Sequence, residues 1–304
     1  MQWNTIHNDD TLKILQSLPD ECLDMVWGDP DYNVGIDYNG SKYTQKWEDY
    51  IDWYAKVAQE SLRVLKPSGN AFFMNYPKQN AYLRVKCLDS LAYDVCEYVW
   101  VYNTNVGHSK RRLTTAHRSI LHATKSKDNH FYKDNIALPY QNPTDKRIKE
   151  RIARGEKGRM PYSWFYFDLV KNVSKDKTFH SCQIPAALVE MFIKSCTNEG
   201  DSVFVLFGGS GGEIMLCEKL KRKWLSCELH KPYFDMIADR LQSNGAIKNE
   251  FRLPNFTRKD FTHQSFTHPN LMQKDLTLLD FKDTDEKCKD FDKSQMRILK
   301  RYKI

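Results

Sequence analysis

Nowhere does the chain hold an apolar run near the roughly 18 residues that span a bilayer. Its opening, MQWNTIHNDD, has neither the basic stretch nor the apolar core of a secretion leader. The expectation is a cytoplasmic protein with no membrane partner. Cysteine is present but unorganised. The eight cysteines, at 22, 87, 96, 182, 196, 217, 227 and 288, never form C-x-x-C, and no Cys/His set has the spacing of a zinc site. They read as reduced thiols that mostly fill core, and no metal is expected. No glycine loop is followed by Gly-Lys-Ser/Thr, which excludes a phosphate-binding P-loop. No long-period repeat is present.

What the chain does hold is apolar and aromatic material, 41 % and 13 % of its 304 residues. That excludes a disordered chain and supports a sizeable core in one or two domains. Net charge is +7, a modest surplus, but it is concentrated. Segment 108–118, HSKRRLTTAHR, contains no acid, and segment 144–159, TDKRIKERIARGEKGR, is rich in Lys and Arg. Such a surface attracts a phosphate backbone. Lys110, Arg111, Arg112, Arg118, Lys146 and Arg147 are the candidate contacts; read blandly, both runs are solvated faces.

The first part alternates helix and strand. Helices are expected at 11–19, 50–66 and 79–93, and strands at 22–30, 70–76 and 95–103, with Pro67-Ser68-Gly69 as punctuation. The rhythm returns with helices at 184–197, 211–223 and 232–242 and strands at 202–208 and 224–229. This is the pattern of a parallel α/β sheet. Between the halves lies a polar, basic stretch. The expected division is 1–103, a first half; 104–178, an insertion carrying binding surface, with 119–125 still a sheet strand; 179–244, a second half; and 245–304, a polar extension of unknown role.

Two elements carry chemistry. In the second half a strand runs into Phe207-Gly208-Gly209-Ser210-Gly211-Gly212 and then a helix, and Glu228 follows sixteen residues after Gly212, at the end of the next strand. Strand, glycine loop, helix, strand and acid, in that order, describe a Rossmann-like nucleotide site. The glycines let the backbone approach a ligand, and the acid takes the two ribose hydroxyls. In the first half Asp29-Pro30-Asp31-Tyr32-Asn33 directly follows an apolar strand, where active sites of such sheets lie; alone it is only a β-turn.

With these motifs the chain resembles the amino-methylating DNA methyltransferases of the β arrangement, in which an Asp-Pro-Pro-Tyr motif precedes the target-recognition region and the cofactor loop comes last. Besides the two elements above, Ile6-His7-Asn8-Asp9-Asp10 matches the family's opening. His180-Ser181-Cys182-Gln183-Ile184-Pro185 matches the segment before the cofactor helix, and Glu228 through Tyr233 matches the acid before Asn-Pro-x-Tyr. Lys110-Arg111-Arg112 is similar to the middle region of methyltransferases from restriction systems related to MboII. The resemblance covers about 1–242. It implies a Rossmann-like sheet, mostly parallel with one antiparallel strand and helices on both faces, plus a basic target-recognition insertion.

It also implies S-adenosylmethionine as cofactor, held by Asp9, His180, Gln183, Phe207, Gly209, Ser210, Gly211 and Glu228. Double-stranded DNA is the implied partner, and a cognate restriction endonuclease and a homodimer fit the same reading. Catalysis would fall to Asp29, Pro30 and Tyr32. The Asp29 carboxylate and the Pro30 carbonyl would accept both N–H bonds of an exocyclic amine on a flipped base, and Tyr32 would stack on that base. Asp29 favours adenine N6 over cytosine N4, whose enzymes tend to open the motif with Ser. Cys182 is not read as a cytosine-C5 nucleophile, since Ser181 rather than Pro precedes it and it lies before the cofactor loop; it reads as packing. Asp31, Val205-Leu206 and Gly212 depart from the family pattern, where a second Pro, Asp-Pro and Thr stand. They keep open a third reading, a DNA-binding relic that has lost catalysis.

Overall fold

A computed structural model describes residues 2–38, 41–42, 44–103, 110–111, 113–170, 178, 180 and 182–243. The expectations for Arg112, for 104–109 and for the extension after 244 lie outside these. By backbone contacts the chain divides into Met1–Arg258 and Lys259–Ile304, and every described element belongs to the first unit.

The elements run β1 (Thr5–His7), α1 (Thr11–Ser17), β2 (Leu23–Gly28), a small antiparallel hairpin of β3 (Asp37–Tyr38) and β4 (Ser41–Lys42), α2 (Trp47–Val64), β5 (Leu65–Asn75), α3 (Pro77–Leu83), a π turn at Arg84–Leu88, α4 (Asp89–Leu91), β6 (Asp94–Val101), β7 (His117–Thr124), α5 (Lys146–Ala153), β8 (Trp164–Tyr166), α6 (Ala186–Cys196), β9 (Ser202–Val205), α7 (Gly212–Lys219), β10 (Lys223–Cys227) and α8 (Lys231–Gln242). Eight strands form one sheet in the order β1-β10-β9-β2-β5-β7-β6-β8. All neighbours pair in parallel except β7, which is antiparallel to both β5 and β6. The sheet is therefore mostly parallel with one reversed strand, as the resemblance implies.

β2 shows why the centre holds. All six of its residues are buried, the mark of a strand covered on both faces. Val26 packs with α1 and α2 through Leu15, Ile51, Tyr54 and Val57. Met25 and Trp27 face the opposite layer, with Leu188 and Phe192 of α6 and Ile214 of α7. The covering helices thus lie on both faces. The crossover β2–α2–β5 leaves on one face and β9–α7–β10 on the other, and the direction of strand order reverses between β2 and β9. A crevice opens at the carboxyl ends of the strands at such a reversal.

The sheet departs from the sequence expectation at Pro67-Ser68-Gly69. The punctuation does not separate α2 from the next strand. β5 begins at Leu65, and Leu23 pairs with Leu65 while Met25 pairs with Asn70, so the three residues bulge from the ladder. Gly69 is required there, because a Cβ would sit 2.8 Å from Leu65 Cδ2 and 3.1 Å from two carbonyl oxygens. The stretch between β7 and α6 also holds more structure than its composition suggests: α5 stands exposed behind its Asp145 cap, and β8 adds an edge strand beside β6. Among the described residues no helix is long and apolar enough to cross a membrane.

At the end of the sheet away from the crevice, Asp24 stitches three strands. Its carboxylate accepts from Lys66 Nζ at 2.9 Å, from the Ser202 amide at 2.9 Å and from Ser202 Oγ at 2.6 Å. Burial pushes the carboxyl up, but the hydrogen bonds from Lys66 and Ser202 outweigh it and hold the pKa below the ordinary carboxylate value. Asp24→Ala should therefore destabilise the fold by about 2–4 kcal/mol at neutral pH in urea titrations. The folded pKa lies below the unfolded one, so this contribution is complete above the unfolded value and vanishes as pH falls through the folded value. An unchanged urea midpoint would show that the stitch is not what joins β2, β5 and β9.

Candidate active site

β2 ends at Gly28, where a Cβ would lie 3.0 Å from Leu206 Cδ1. The next residue, Asp29, leaves the sheet into a cavity of about 220 Å³. The carboxylate is half-buried, and its Oδ1 accepts from the Tyr32 hydroxyl at 2.5 Å. Burial pushes its pKa up to about 7; the Tyr32 hydrogen bond and the charge of Arg118 oppose the rise, and Asp31 adds to it.

The loop around Asp29 is braced on several sides. The Tyr32 carbonyl accepts from Gln79 Nε2 of α3 at 2.7 Å, and its ring meets Tyr76 edge-on with centroids 5.1 Å apart. Tyr50 of α2 donates to the Asp31 carbonyl at 2.6 Å and accepts from Asn75 at the end of β5. Asp31 Oδ1 accepts from the Asn33 amide at 3.1 Å, an Asx turn that fixes the chain where the family has proline. Asn33, at φ 56°, exchanges two hydrogen bonds with the Gln45 backbone.

The other end of the same cavity is built after β9 and β10. Gly208 is pressed between α8 and the strand after it: a Cβ would meet Ile237 Cδ1 at 2.8 Å and Glu228 Cβ at 3.3 Å. Gly209 and Gly211 hold φ of 54° and 77°, where L residues are strained. Glu228 accepts from the Gly209 amide through Oε2 and from the His230 amide through Oε1, both at 2.8 Å. Burial raises its pKa while the two amides lower it. His180 packs against Tyr233 at 4.6 Å and lies over Gly209, and Phe207 packs against Trp53 of α2 at 5.8 Å. Asp10 caps α1; Asp9 pairs with Lys13 at 2.7 Å and faces the cavity.

Asp29, Pro30, Tyr32, Asp9, His180, Phe207, Gly209, Ser210 and Glu228 thus line one cavity. Gln183 and Gly211 are not in its lining. Gln183 is buried and accepts from the amide and hydroxyl of Thr178, and Gly211 starts α7. Lys110 and Arg111 are exposed, and Lys146 and Arg147 sit on the exposed α5. Arg118 stands apart from these exposed cations. The basic run groups it with the phosphate contacts, but it is half-buried on β7 and lies among Tyr76, Tyr102 and Tyr32 beside Asp29. Its place in β7, whose next six residues are all buried, is what separates it from the run. Trp53 and Tyr50 escape a reading of the sequence because their helical spacing reads as core; they serve as core and cavity wall together.

A family model of DNA methylases, the N6/N4 methyltransferases, matches residues 23–239. The type II methyltransferase M.BamHI of Bacillus amyloliquefaciens is 31 % identical over 253 residues, 80 % of this chain and 58 % of that protein. This chain therefore spans little more than half the length of M.BamHI. The DNA adenine methyltransferase YhdJ of Escherichia coli K12 is 26 % identical over 242 residues, 78 % of this chain and 82 % of that one. Among solved structures, the cytosine-N4-specific PvuII DNA methyltransferase superposes with a TM-score of 0.57 at 19 % identity, covering 85 % of this chain and 89 % of that one. The M1.HpyAVI–SAM complex superposes with a TM-score of 0.54 at 22 % identity, covering 78 % and 98 %. With most of its sheet, both ends of its cavity and its central half inside the family match, the chain belongs to the DNA methylase family of N6/N4 methyltransferases.

Proposed function

We propose that the chain transfers a methyl group from S-adenosylmethionine to the N6 amine of adenine in a specific double-stranded DNA sequence. The observation that carries this reading is that Asp29 and Glu228 line one cavity, each on a loop leaving the carboxyl edge of the sheet. The division into a catalytic half (1–103), a target-recognition insertion (104–178) and a cofactor half (179–244) belongs to the same reading.

The residues present fit the cofactor. The glycine loop has no room for side chains where it meets Glu228 and α8, Glu228 offers carboxylate oxygens to ribose hydroxyls, and Phe207 with Trp53 forms an aromatic wall. Asp9, His180 and Ser210 complete that end, with Gln183 and Gly211 supporting it from outside the lining. When bound, S-adenosylmethionine supplies an electrophilic methyl on its sulfonium.

An exocyclic amine is a poor nucleophile because its lone pair is delocalised into the ring. Asp29 Oδ2 and the Pro30 carbonyl accept its two N–H bonds and localise that pair. Tyr32 Oη holds Oδ1, which fixes the carboxylate plane. One face of the Tyr32 ring carries Arg118; the other is the stacking surface for a base that must leave the duplex. Positioning and electrostatics supply the rate, and no covalent intermediate forms. Cytosine N4 is the second reading, favoured by the fold shared with the PvuII enzyme. Nucleoside analysis of DNA incubated with the chain and radiolabelled cofactor decides: N6-methyladenine is expected, N4-methylcytosine replaces the substrate assignment, and no transfer means a DNA-binding relic.

Glu228→Ala should weaken S-adenosylmethionine binding by one to a few orders of magnitude in calorimetry, since two hydrogen bonds to a charged group are lost at roughly 1–3 kcal/mol each. Glu228→Gln serves as the control for the Gly209 tie, and unchanged affinity in both variants would refute the assignment.

Asp29 must be ionised to accept from the amine, so kcat/KM should fall as pH drops through about 7. Its folded pKa lies above the unfolded value, so ionisation costs stability, fully above pH 7 and not at all below the unfolded pKa. Asp29→Asn should therefore abolish methylation yet raise Tm at pH 8, with the gain shrinking toward pH 5. A Tm gain equal at both pH values would contradict the burial argument.

Neutralising Lys110, Arg111, Lys146 or Arg147 singly should weaken binding to all DNA sequences alike and flatten the salt slope by about one unit. An unchanged slope would return that residue to a solvated face.

A further inference from the structure

Arg118 is the described cation whose charge acts on Asp29, and no step of the transfer described above uses it. It lies at the active-site end of the reversed strand β7, directly before the buried run 119–124. Its guanidinium carbon lies 3.8 Å from the centroid of the Tyr76 ring, 5.1 Å from that of Tyr102 and 5.2 Å from that of Tyr32. Nη1 donates to the Tyr102 hydroxyl and, at 3.3 Å, to the His117 carbonyl. A guanidinium remains charged throughout the working pH range, and taking it partly out of water is costly unless aromatic faces, acceptors or a carboxylate compensate. Three tyrosine rings supply the first, and Asp29 is the carboxylate that feels the charge.

We propose that Arg118 is a positioning residue of the transfer reaction: wedged among Tyr32, Tyr76 and Tyr102, it holds the aromatic wall beside Asp29 and supplies the positive charge that keeps the Asp29 carboxylate in its hydrogen-accepting form. This rests on the reading of Asp29 as the acceptor for the amine. The groups around Asp29 support it. Asp31 on the same loop is an acid and opposes ionisation, and Tyr32, Tyr50 and Tyr54 are neutral phenols whose pKa values are raised by burial. Cys182 also lines the cavity. Among the described charges that act on Asp29, the only favourable one is that of Arg118. The planar fork matters as well as the charge, because Lys cannot stack on Tyr76 and donate to Tyr102 together.

The test compares the full-length wild type with Arg118→Met and Arg118→Lys. Carboxyl 13C NMR of aspartate-labelled protein, with Asp29→Asn to assign the resonance, reads the Asp29 midpoint without needing turnover. In Arg118→Met it should move up by about one pH unit, and the acid limb of kcat/KM should move with it, while calorimetric affinity for S-adenosylmethionine stays within about twofold of wild type. Arg118→Lys should restore the midpoint but only part of kcat. If Arg118→Met does not fold, Arg118→Gln removes the charge while keeping a donor for Tyr102. An unmoved Asp29 midpoint overturns the proposal, as does a loss confined to DNA affinity with a flatter salt slope, which would return Arg118 to phosphate contact. A wild type that methylates no DNA defeats the proposed function instead, and the NMR titration still decides on Arg118.

Discussion

The parallel pairing of β2 with β9 is the contact on which the site depends. Met25, Val26 and Trp27 pair with Val203, Phe204 and Val205, and the ladder continues as the Leu206 amide donates to the Trp27 carbonyl at 2.9 Å. Both strands then stop within a residue or two, one into Asp29 and the other into the glycine loop. Because their crossover helices lie on opposite faces, no described helix closes the space between the two loops. Two loops placed on two unpaired strands would have no common cavity; placed here they line one.

Two carboxylates line that cavity, and burial raises both. The fold answers the desolvation differently at each. Glu228 receives two backbone amides, groups fixed by the turn itself, so its oxygens are oriented whatever occupies the cavity. Asp29 receives a phenol and, at longer range, a guanidinium. Both are side chains held by the tyrosine cluster. The first arrangement suits an acid that only accepts hydrogen bonds from hydroxyls. The second suits an acid whose ionisation has to be tuned, because a side-chain partner can shift with the substrate while a backbone amide cannot.

Much of this is legible in the sequence because its signals are local. The apolar run LDMVWG before Asp29, the glycine loop and Glu228 are each readable within a few residues, and their order implies which loops meet. What is not legible depends on faces and partners. Arg118 lies beside a basic run in sequence, and only its place in the buried strand β7 takes it away from that run. Trp53 and Tyr50 share the spacing of Tyr54 and Val57 on α2, so a helix reading alone makes all four core. Pro67-Ser68-Gly69 reads as a boundary because proline and glycine usually mark one; the strand instead bulges past them, a matter of register with Leu23 and Met25 that the residues themselves do not disclose.

The three departures from the family pattern are absorbed by local packing. Val205 and Leu206, where the family has Asp-Pro, are buried; Leu206 packs against Gly28 and extends the β2–β9 ladder, so an apolar pair takes over the job of joining the two loops. Gly212 stands where the family has Thr, and its amide donates to Ser210 Oγ at 3.4 Å, a bond made within the loop. Asp31 replaces the stiffness of proline with an Asx turn and lends its carbonyl to Tyr50. In each case the substituted residue serves the loop's shape, and the groups assigned to the chemistry, the Asp29 carboxylate, the Pro30 carbonyl, the Tyr32 ring and Glu228, are still the ones that line the cavity.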